Sequence, residues 1–214
     1  KEAKEYLNIP NDSLFNISSA CDRKLFSPDS REKITNYSDF TYLGDFIFYS
    51  GAGDPRKNLI GLIKAFSELS KNLLSKYKLV LAGKLAQPEI ELLSACISEC
   101  CLAENQVIIL GYVSDYDLVR LYRRCKLFVF PSFHEGFGLP VLEAMSCGAP
   151  VISSDRSSLP EIIGFEEAMF DPEDIISIKN LITRCLTDTK FYNKLLENSK
   201  YRSTLFSWDS TIKK

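Results

Sequence analysis

Short apolar runs that end in a glycine, a proline or a polar residue recur along the chain, with stretches of helical apolar spacing between them. The runs are FIFYSG from Phe46, YKLVLAG from Tyr77, QVIILG from Gln106, KLFVFPS from Lys126, APVISS from Ala149 and AMF from Ala168. Strands that are apolar throughout are buried on both faces, which is typical of a parallel sheet covered by helices. The pattern therefore predicts an α/β fold with a doubly wound parallel sheet.

Helix start signals lie between these runs. Asn58 precedes the amphipathic stretch LIGLIKAFSELS, and Pro88 suits the first turn of the next helix. Ser114 with Asp117 three residues later forms an acidic variant of the capping box. Asp171 begins an Asp-Pro-Glu-Asp helix start, after which two helices are expected to reach FSWDS. Because such sheets bind ligands at the carboxyl ends of their strands, the loops after the strands are the expected site.

Composition and charge narrow the function classes. Among 214 residues, 26 Lys and Arg face 28 Asp and Glu, so no basic field predicts nucleic-acid binding. The apolar runs are far shorter than the roughly 20 residues of a membrane-spanning helix. The seven cysteines are irregularly spaced, which favours free thiols in a reducing cytoplasm over a disulfide framework. Because the first residue is Lys1 rather than Met, we expect a piece of a longer protein.

The loop SGAGDPRKN follows the first predicted strand. Gly51 and Gly53 are followed by Arg56 where a dinucleotide-binding fingerprint needs its third glycine, which disfavours a nicotinamide oxidoreductase. Arg56 and Lys57 place two cations beside a predicted helix N-terminus, an arrangement that suits a phosphate or pyrophosphate. The alternative is that these two residues form a solvated basic pair.

The run EGFGLPVLEAM follows the fourth predicted strand. Gly136 and Gly138 would let the backbone approach a ligand, while the amides of residues 137–139 suit a phosphate. Glu135 lies in the loop and Glu143 in or near the first helical turn, so the chain turns between them and both can face one ligand. A carboxylate accepts well from two vicinal hydroxyls, so the combination suggests a sugar nucleotide. The alternative makes Glu143 a helix-dipole partner and Glu135 a surface charge.

Two further features could bind metal or catalyse. His134, the one histidine of the chain, could be a base, a metal ligand or a phosphate contact, but a lone loop histidine is more often incidental. Cys96 and Cys100 have an i,i+4 spacing that can bind metal, yet no third ligand follows a matching pattern. No metal site is predicted.

The stretch PSFHEGFGLPVLEAMSCGAPVISSDRSSLPEIIG resembles the signature of the retaining glycosyltransferases of family 4, whose E-x7-E motif is matched by Glu135 and Glu143. Other stretches resemble the C-terminal domain of that family in order and spacing: FYSGAGDPRKNLIGLIKAF, LVLAG, VIILGYVSDYDLVRLYRRCKLFVFPS, FDPED and FSWD. The resemblance implies the Rossmann-like, donor-binding C-terminal half of a GT-B fold. Residues 1–44 would be a remnant of the N-terminal domain with the interdomain linker, 45–206 the donor-binding domain, and 207–214 a truncated C-terminal segment.

The resemblance also implies residue roles. Glu143 would bind the ribose hydroxyls and Glu135 the hydroxyls of the transferred sugar, while Lys57 and Arg56 would neutralise the leaving diphosphate. The distal phosphate would be held by the amides of Gly136, Phe137, Gly138 and Leu139. The backbone near Val113, with Gly83 and Gly111 at neighbouring strand ends, would line the base pocket, and Gly51 would also contact the donor. Many relatives carry an arginine where this chain has Ala52. Either Arg56 supplies that charge or phosphate binding is weaker.

The implied activity is a retaining hexosyltransferase reaction. A UDP-, GDP- or ADP-sugar would donate a hexosyl group to a saccharide or lipid-linked acceptor bound by the N-terminal domain, without a cofactor or an obligatory metal. The parent protein would act in polysaccharide biosynthesis in the cytoplasm, with peripheral contact at the inner face of the membrane, and the fragment alone would be inactive or weakly active. The alternatives are a non-catalytic sugar-nucleotide-binding module and a sugar-nucleotide epimerase of similar fold.

Overall fold

The computed structural model describes residues 18–28 and 38–212, together with Tyr6, Pro10 and Ser13. One six-stranded sheet has the order β3-β2-β1-β4-β5-β6, and every neighbouring pair is parallel. The strands are β1 Phe46–Ser50, β2 Lys78–Ala82, β3 Val107–Gly111, β4 Leu127–Phe130, β5 Val151–Ser154 and β6 Met169–Phe170. This order is that of a doubly wound Rossmann sheet, whose direction of winding reverses between β1 and β4. The predicted fold class is confirmed.

Nine α-helices accompany the strands within the described part of the chain. Those before β4 are α1 Leu59–Ser67, α2 Lys71–Lys76, α3 Gln87–Glu99 and α4 Asp115–Arg124. Those after β4 are α5 Leu139–Ser146, α6 Leu159–Ile163, α7 Ile175–Thr187, α8 Thr189–Leu205 and α9 Trp208–Ile212. Short 3-10 helices lie at Thr41–Leu43, Pro55–Lys57 and Glu166–Ala168. Among the described residues, no helix is both long enough and apolar enough to cross a bilayer.

Burial explains why the strands are apolar throughout. Every residue of β1, β4 and β5 is buried, as expected for central strands with helices on both faces. β3 is an edge strand, and all five of its residues are only half-buried. The core therefore lies on both sides of the central strands, and it fixes the loops that leave their carboxyl ends.

The helix start at Ser114 is confirmed. Its hydroxyl accepts a hydrogen bond from the backbone N–H of Asp117 at 3.2 Å. The capping role expected of Asn58 is wrong, because Asn58 adopts a left-handed conformation and its side chain does not cap α1. Its amide instead donates to the carbonyl of Pro172 at 2.8 Å, so a buried side chain ties the start of α1 to the loop before α7.

The predicted helix start at Asp171 is also wrong, by three residues. Asp174 is the N-cap of α7 and accepts from the N–H of Ile176 at 2.8 Å. Asp171 instead accepts from the N–H of Glu173 at 2.9 Å and from the guanidinium of Arg156 at 2.8 Å. Because the Asp171 carboxylate accepts from Arg156, the second aspartate of the motif, Asp174, caps the helix.

The described part of the N-terminal segment packs on α4 and α5. Cys21 and Phe26 are buried, and the thiol of Cys21 lies 3.2 Å from the hydroxyl of Ser146. Arg123 donates to the carbonyl of Ser27 at 2.7 Å. Residues 23–28 form turns and bends. The sequence from Lys1 to Ile9 has a helical pattern and that from Ser13 reads as a strand and loop, but most of these residues before Ser18 lie outside the described part of the chain.

Candidate active site

Three loops meet at the carboxyl edge of the sheet, after β1, β4 and β5. The N–H of Phe133 donates to the carbonyl of Arg56 at 2.8 Å, which joins the loops after β1 and β4. The hydroxyl of Ser154 donates to the carbonyl of Ser132 at 2.5 Å, which joins the loop after β4 to β5. The sequence-predicted residues Lys57, Glu135 and Glu143 therefore belong to one connected region.

Lys57 and Glu135 form an ion pair across two of these loops. The Lys57 ammonium lies 2.6 Å from Oε1 of Glu135, and the side chains are only 19% and 11% exposed. The same ammonium lies 5.7 Å from the centre of the buried Phe130 ring. The two residues are 78 positions apart in sequence, so the pairing could not be read from their spacing. An anion that binds Lys57 must compete with Glu135, and a ligand that binds Glu135 must share it with Lys57.

Two serines after β5 hold the Glu135 loop. The hydroxyl of Ser157 accepts from the N–H of Glu135 at 2.8 Å. The hydroxyl of Ser158 lies 3.1 Å from the carbonyl of Glu135 and donates to that of Phe137 at 2.8 Å. Ser157 itself has a left-handed φ of 51°, which is unusual for a residue with a side chain. Sequence reasoning missed both serines, because they act through contacts more than 20 residues away along the chain.

Gly136 and Gly138, in the loop after β4, differ in what a side chain would meet at each position. Gly138 has a φ of 101°, and a Cβ on it would lie 2.6 Å from Cδ2 of Leu159 in α6. Gly136 lacks a positive φ, and a Cβ on it would meet nothing within 4 Å. The domain itself therefore requires Gly138, whereas the space beside Gly136 is open to a ligand.

Glu143 lies on the second turn of α5, because the helix begins at Leu139. This agrees with the predicted position in or near the first turn, and it weakens the helix-dipole alternative, because that effect fades beyond the first turn. Burial raises the pKa of the Glu143 carboxyl, and the hydroxyl of Tyr122 opposes this by donating to Oε2 at 3.1 Å. A carboxylate kept in a desolvated position with one hydrogen bond is suited to accept hydroxyls from a ligand.

Arg56 is held by Asp54 at the rim of the site. Its guanidinium makes two parallel contacts of 3.0 Å with the carboxylate, and its side chain is 64% exposed. This pairing lowers the pKa of Asp54 to about 2. Much of the Arg56 charge is thus balanced by its own loop, and its expected role beside Lys57 stays a prediction.

The sequence profile of the family described as "Glycosyl transferases group 1" matches residues 31–202. The chain belongs to this family. The serotype-specific mannosyltransferase WbdA of Escherichia coli is 43% identical to this glycosyltransferase domain over 213 residues. The alignment covers 99% of the domain and 26% of WbdA, so the chain spans about a quarter of the length of that relative.

Solved structures share the fold of the group 1 domain. The C-terminal domain of the group 1 protein LpcC from Francisella tularensis matches with a TM-score of 0.73 at 23% identity, covering 87% of this chain and 97% of that one. Anabaena HepE in complex with UDP and glucose matches with a TM-score of 0.75 at 22% identity, covering 91% of this chain and 53% of that one. These likenesses confirm the predicted architecture, the C-terminal half of a GT-B fold.

The strand-end glycines of the group 1 domain are explained in part by backbone packing. The N–H of Gly51 donates to Ala82 at 2.9 Å, and the N–H of Gly83 donates to Gly111 at 2.8 Å. A Cβ on Gly83 would lie 1.7 Å from the carbonyl oxygen of Gly51. The backbones at the carboxyl ends of β1 and β2 are therefore in direct contact. A Cβ on Gly111 would meet nothing within 4 Å. Val113 follows, half-buried against the core, and its expected place in a base pocket stays a prediction.

The two features considered for metal binding lie in different parts of the domain: His134 in the loop after β4, and the hydrogen-bonded thiols of Cys96 and Cys100 in α3 and at its end. His134 is exposed beside Glu135, Cys96 is buried within α3, and Cys100 is half-buried at the end of that helix. Within residues 18–28 and 38–212, no group of three or more His, Cys, Asp or Glu has the arrangement of a metal site. All seven cysteines are free thiols.

Proposed function

We propose that this domain binds the nucleotide-sugar donor of a retaining hexosyltransferase. The observation that carries the proposal is the Lys57–Glu135 pair in the loops at the carboxyl edge of the sheet, with Glu143 following the Gly138 turn. Glu143 binds the ribose hydroxyls, and Glu135 binds hydroxyls of the transferred sugar. The open backbone at Gly136, with the amides of residues 137–139, receives the distal phosphate.

Charge explains how these groups would promote transfer. Cleavage of the anomeric bond leaves an oxocarbenium-like sugar and a diphosphate that gains negative charge. Lys57 and the amides at the start of α5 stabilise that charge more strongly as it develops than in the bound donor. Glu135 orients the Lys57 ammonium at 2.6 Å, and it would give up part of that contact to the sugar hydroxyls when the donor binds.

The WbdA likeness supports a mannosyl group as the sugar that the parent protein transfers. The UDP and glucose bound to HepE support a nucleoside diphosphate sugar as the donor class. The acceptor, a saccharide or a lipid-linked saccharide, would bind outside this chain. The seven free thiols suit a reducing cytoplasm, where the parent protein would act at the inner face of the membrane.

A thermal-shift panel of UDP, GDP, ADP and their sugar conjugates tests the proposal. We expect at least one compound to raise the melting temperature, because a ligand at 100 times its Kd stabilises the folded state by about 2.7 kcal/mol. For a chain of this size that corresponds to roughly 5 to 10 °C. The same panel on the Glu143→Ala variant should give a much smaller shift. A flat response of the unchanged chain to every compound would refute donor binding.

A further inference from the structure

The Tyr122 hydroxyl lies between two other polar groups inside the core. It is 3.1 Å from Oε2 of Glu143 and 2.6 Å from the hydroxyl of Ser50 at the end of β1. Tyr122 and Ser50 are 0% and 5% exposed, so water does not compete freely for these contacts. Sequence reasoning gave neither residue a role.

Aromatic packing fixes the position of the Tyr122 ring. Three rings lie edge-on around it, with centroid distances of 6.2 Å to Phe26, 5.5 Å to Phe48 and 5.2 Å to Phe128. Such contacts favour one ring orientation, so the hydroxyl is held in place by the core rather than by Glu143. A group held in this way can orient the carboxylate that it contacts.

We propose that Ser50 and Tyr122 form a hydroxyl relay that positions Glu143 and holds it in the charged state that accepts ligand hydroxyls. The inference rests on the proposed function, in which Glu143 binds ribose. Tyr122 and Ser50 are thus positioning residues, because neither touches the donor.

The direction of the hydrogen bonds follows from the proton count. A phenol has one proton, so when Tyr122 donates to the Glu143 carboxylate it must accept from Ser50. If Glu143 were protonated, it could donate to Tyr122, and Tyr122 would then donate to Ser50. The ionised form of Glu143 therefore fixes the direction of the relay, and it leaves both carboxylate oxygens as acceptors for a diol.

The surroundings of Glu143 oppose its charge. Burial and the carboxylate of Asp115, at the start of α4, raise the pKa of Glu143, whereas the Tyr122 hydrogen bond lowers it. The thiols of Cys21 and Cys147 also face this carboxylate. Burial raises the pKa of both thiols, that of Cys147 to about 12, so they stay neutral. Tyr122 is the neighbour that favours the ionised form.

The Tyr122→Phe variant tests the relay, because it removes one oxygen and keeps the ring. Carbon-13 NMR of the side-chain carboxyl groups should show the Glu143 midpoint at higher pH than in the unchanged chain. The affinity for the tightest binder among UDP, GDP and ADP should fall about tenfold at pH 7, the scale of a lost hydrogen bond to a charged group, and more at pH 6. Ser50→Ala should shift both quantities in the same direction by a smaller amount.

Tyr77→Phe is the matched control. Tyr77 is also buried, its hydroxyl pairs with Lys76, and it lies at the amino end of β2, away from Glu143. We expect neither the Glu143 midpoint nor the nucleotide affinity to change. A folded Tyr122→Phe variant with the same Glu143 midpoint as the unchanged chain overturns the relay. Failure of the unchanged chain to bind UDP, GDP and ADP overturns the proposed function instead, and the midpoint, measured without nucleotide, still decides whether Tyr122 holds the charge.

Discussion

Gly83→Ala is expected to prevent stable folding of the domain. The new Cβ would lie 1.7 Å from the carbonyl oxygen of Gly51, and residue 83 has a φ of 147°. The oxygen belongs to the backbone and cannot move aside easily, because Gly51 and Gly83 are held at the ends of β1 and β2 by donating to the carbonyls of Ala82 and Gly111. Overpacking and backbone strain together cost about 4 kcal/mol or more, a large part of the stability of an ordinary domain. Urea unfolding followed by circular dichroism would measure the loss.

Gly111→Ala is the matched control for this substitution. Gly111 also ends a strand and has a positive φ of 70°, but a Cβ on it would meet nothing within 4 Å. The expected cost is only about 1 kcal/mol, which is the penalty for a left-handed conformation. Equal unfolding midpoints for the two alanine variants would show that backbone contact between β1 and β2 does not control packing at this edge.

Lys57→Ala in the parent enzyme is expected to reduce kcat/KM by about 100- to 1,000-fold, the effect of removing one group that stabilises developing charge. The ammonium is oriented by Glu135 at 2.6 Å and is largely shielded from water, so its charge is weakly screened. Transfer from a radiolabelled nucleotide sugar to the acceptor measures the loss. Lys64→Ala, on the exposed face of α1, should retain the activity of the unchanged enzyme.

A loss of folding must be separated from a loss of charge stabilisation. Lys57→Ala leaves Glu135 without its cation in a site where the carboxylate side chain is 11% exposed, and this should cost about 2 kcal/mol of unfolding free energy. Adding Glu135→Gln removes the unpaired charge and should restore most of that stability without restoring activity. If the double variant regained transferase activity, Lys57 would be a structural partner of Glu135 and not a catalytic group.

The strands, and the loops that form the candidate site, could be predicted because their causes are local. Central parallel strands are buried on both faces, so runs such as those from Phe46 and Lys126 are apolar throughout. The carboxyl-edge rule then places Lys57 and Glu135 in neighbouring loops. Those inferences need only the pattern of the sequence and the handedness of parallel connections.

The contacts within the site could not be predicted, because they join residues that are distant in sequence. The pairing of Lys57 with Glu135 depends on the relative position of the loops after β1 and β4. A hydrogen bond from the N–H of Phe133 to the carbonyl of Arg56 joins these two loops. Two of the predicted helix starts were wrong for the same reason. The Asn58 amide donates to the carbonyl of Pro172 instead of capping the helix, and the Asp171 carboxylate accepts from Arg156.

Glu143→Gln isolates the negative charge that the half-buried Glu143 would present to the ribose hydroxyls. Because burial raises the pKa of Glu143, its ionisation costs stability as the pH rises above the value for an unfolded glutamate. Gln keeps the shape without the charge, so the variant should be as stable as the unchanged chain at pH 7, or more so.

Isothermal titration calorimetry at pH 7 with UDP, GDP and ADP, on the unchanged chain and on Glu143→Gln, is the most direct measurement. We expect saturable heat from at least one nucleotide with the unchanged chain. With the folded variant we expect affinity about 10- to 100-fold weaker, the loss of one or two hydrogen bonds to a charged acceptor. Equal affinity of the unchanged chain and Glu143→Gln would contradict the assignment of Glu143 to the ribose.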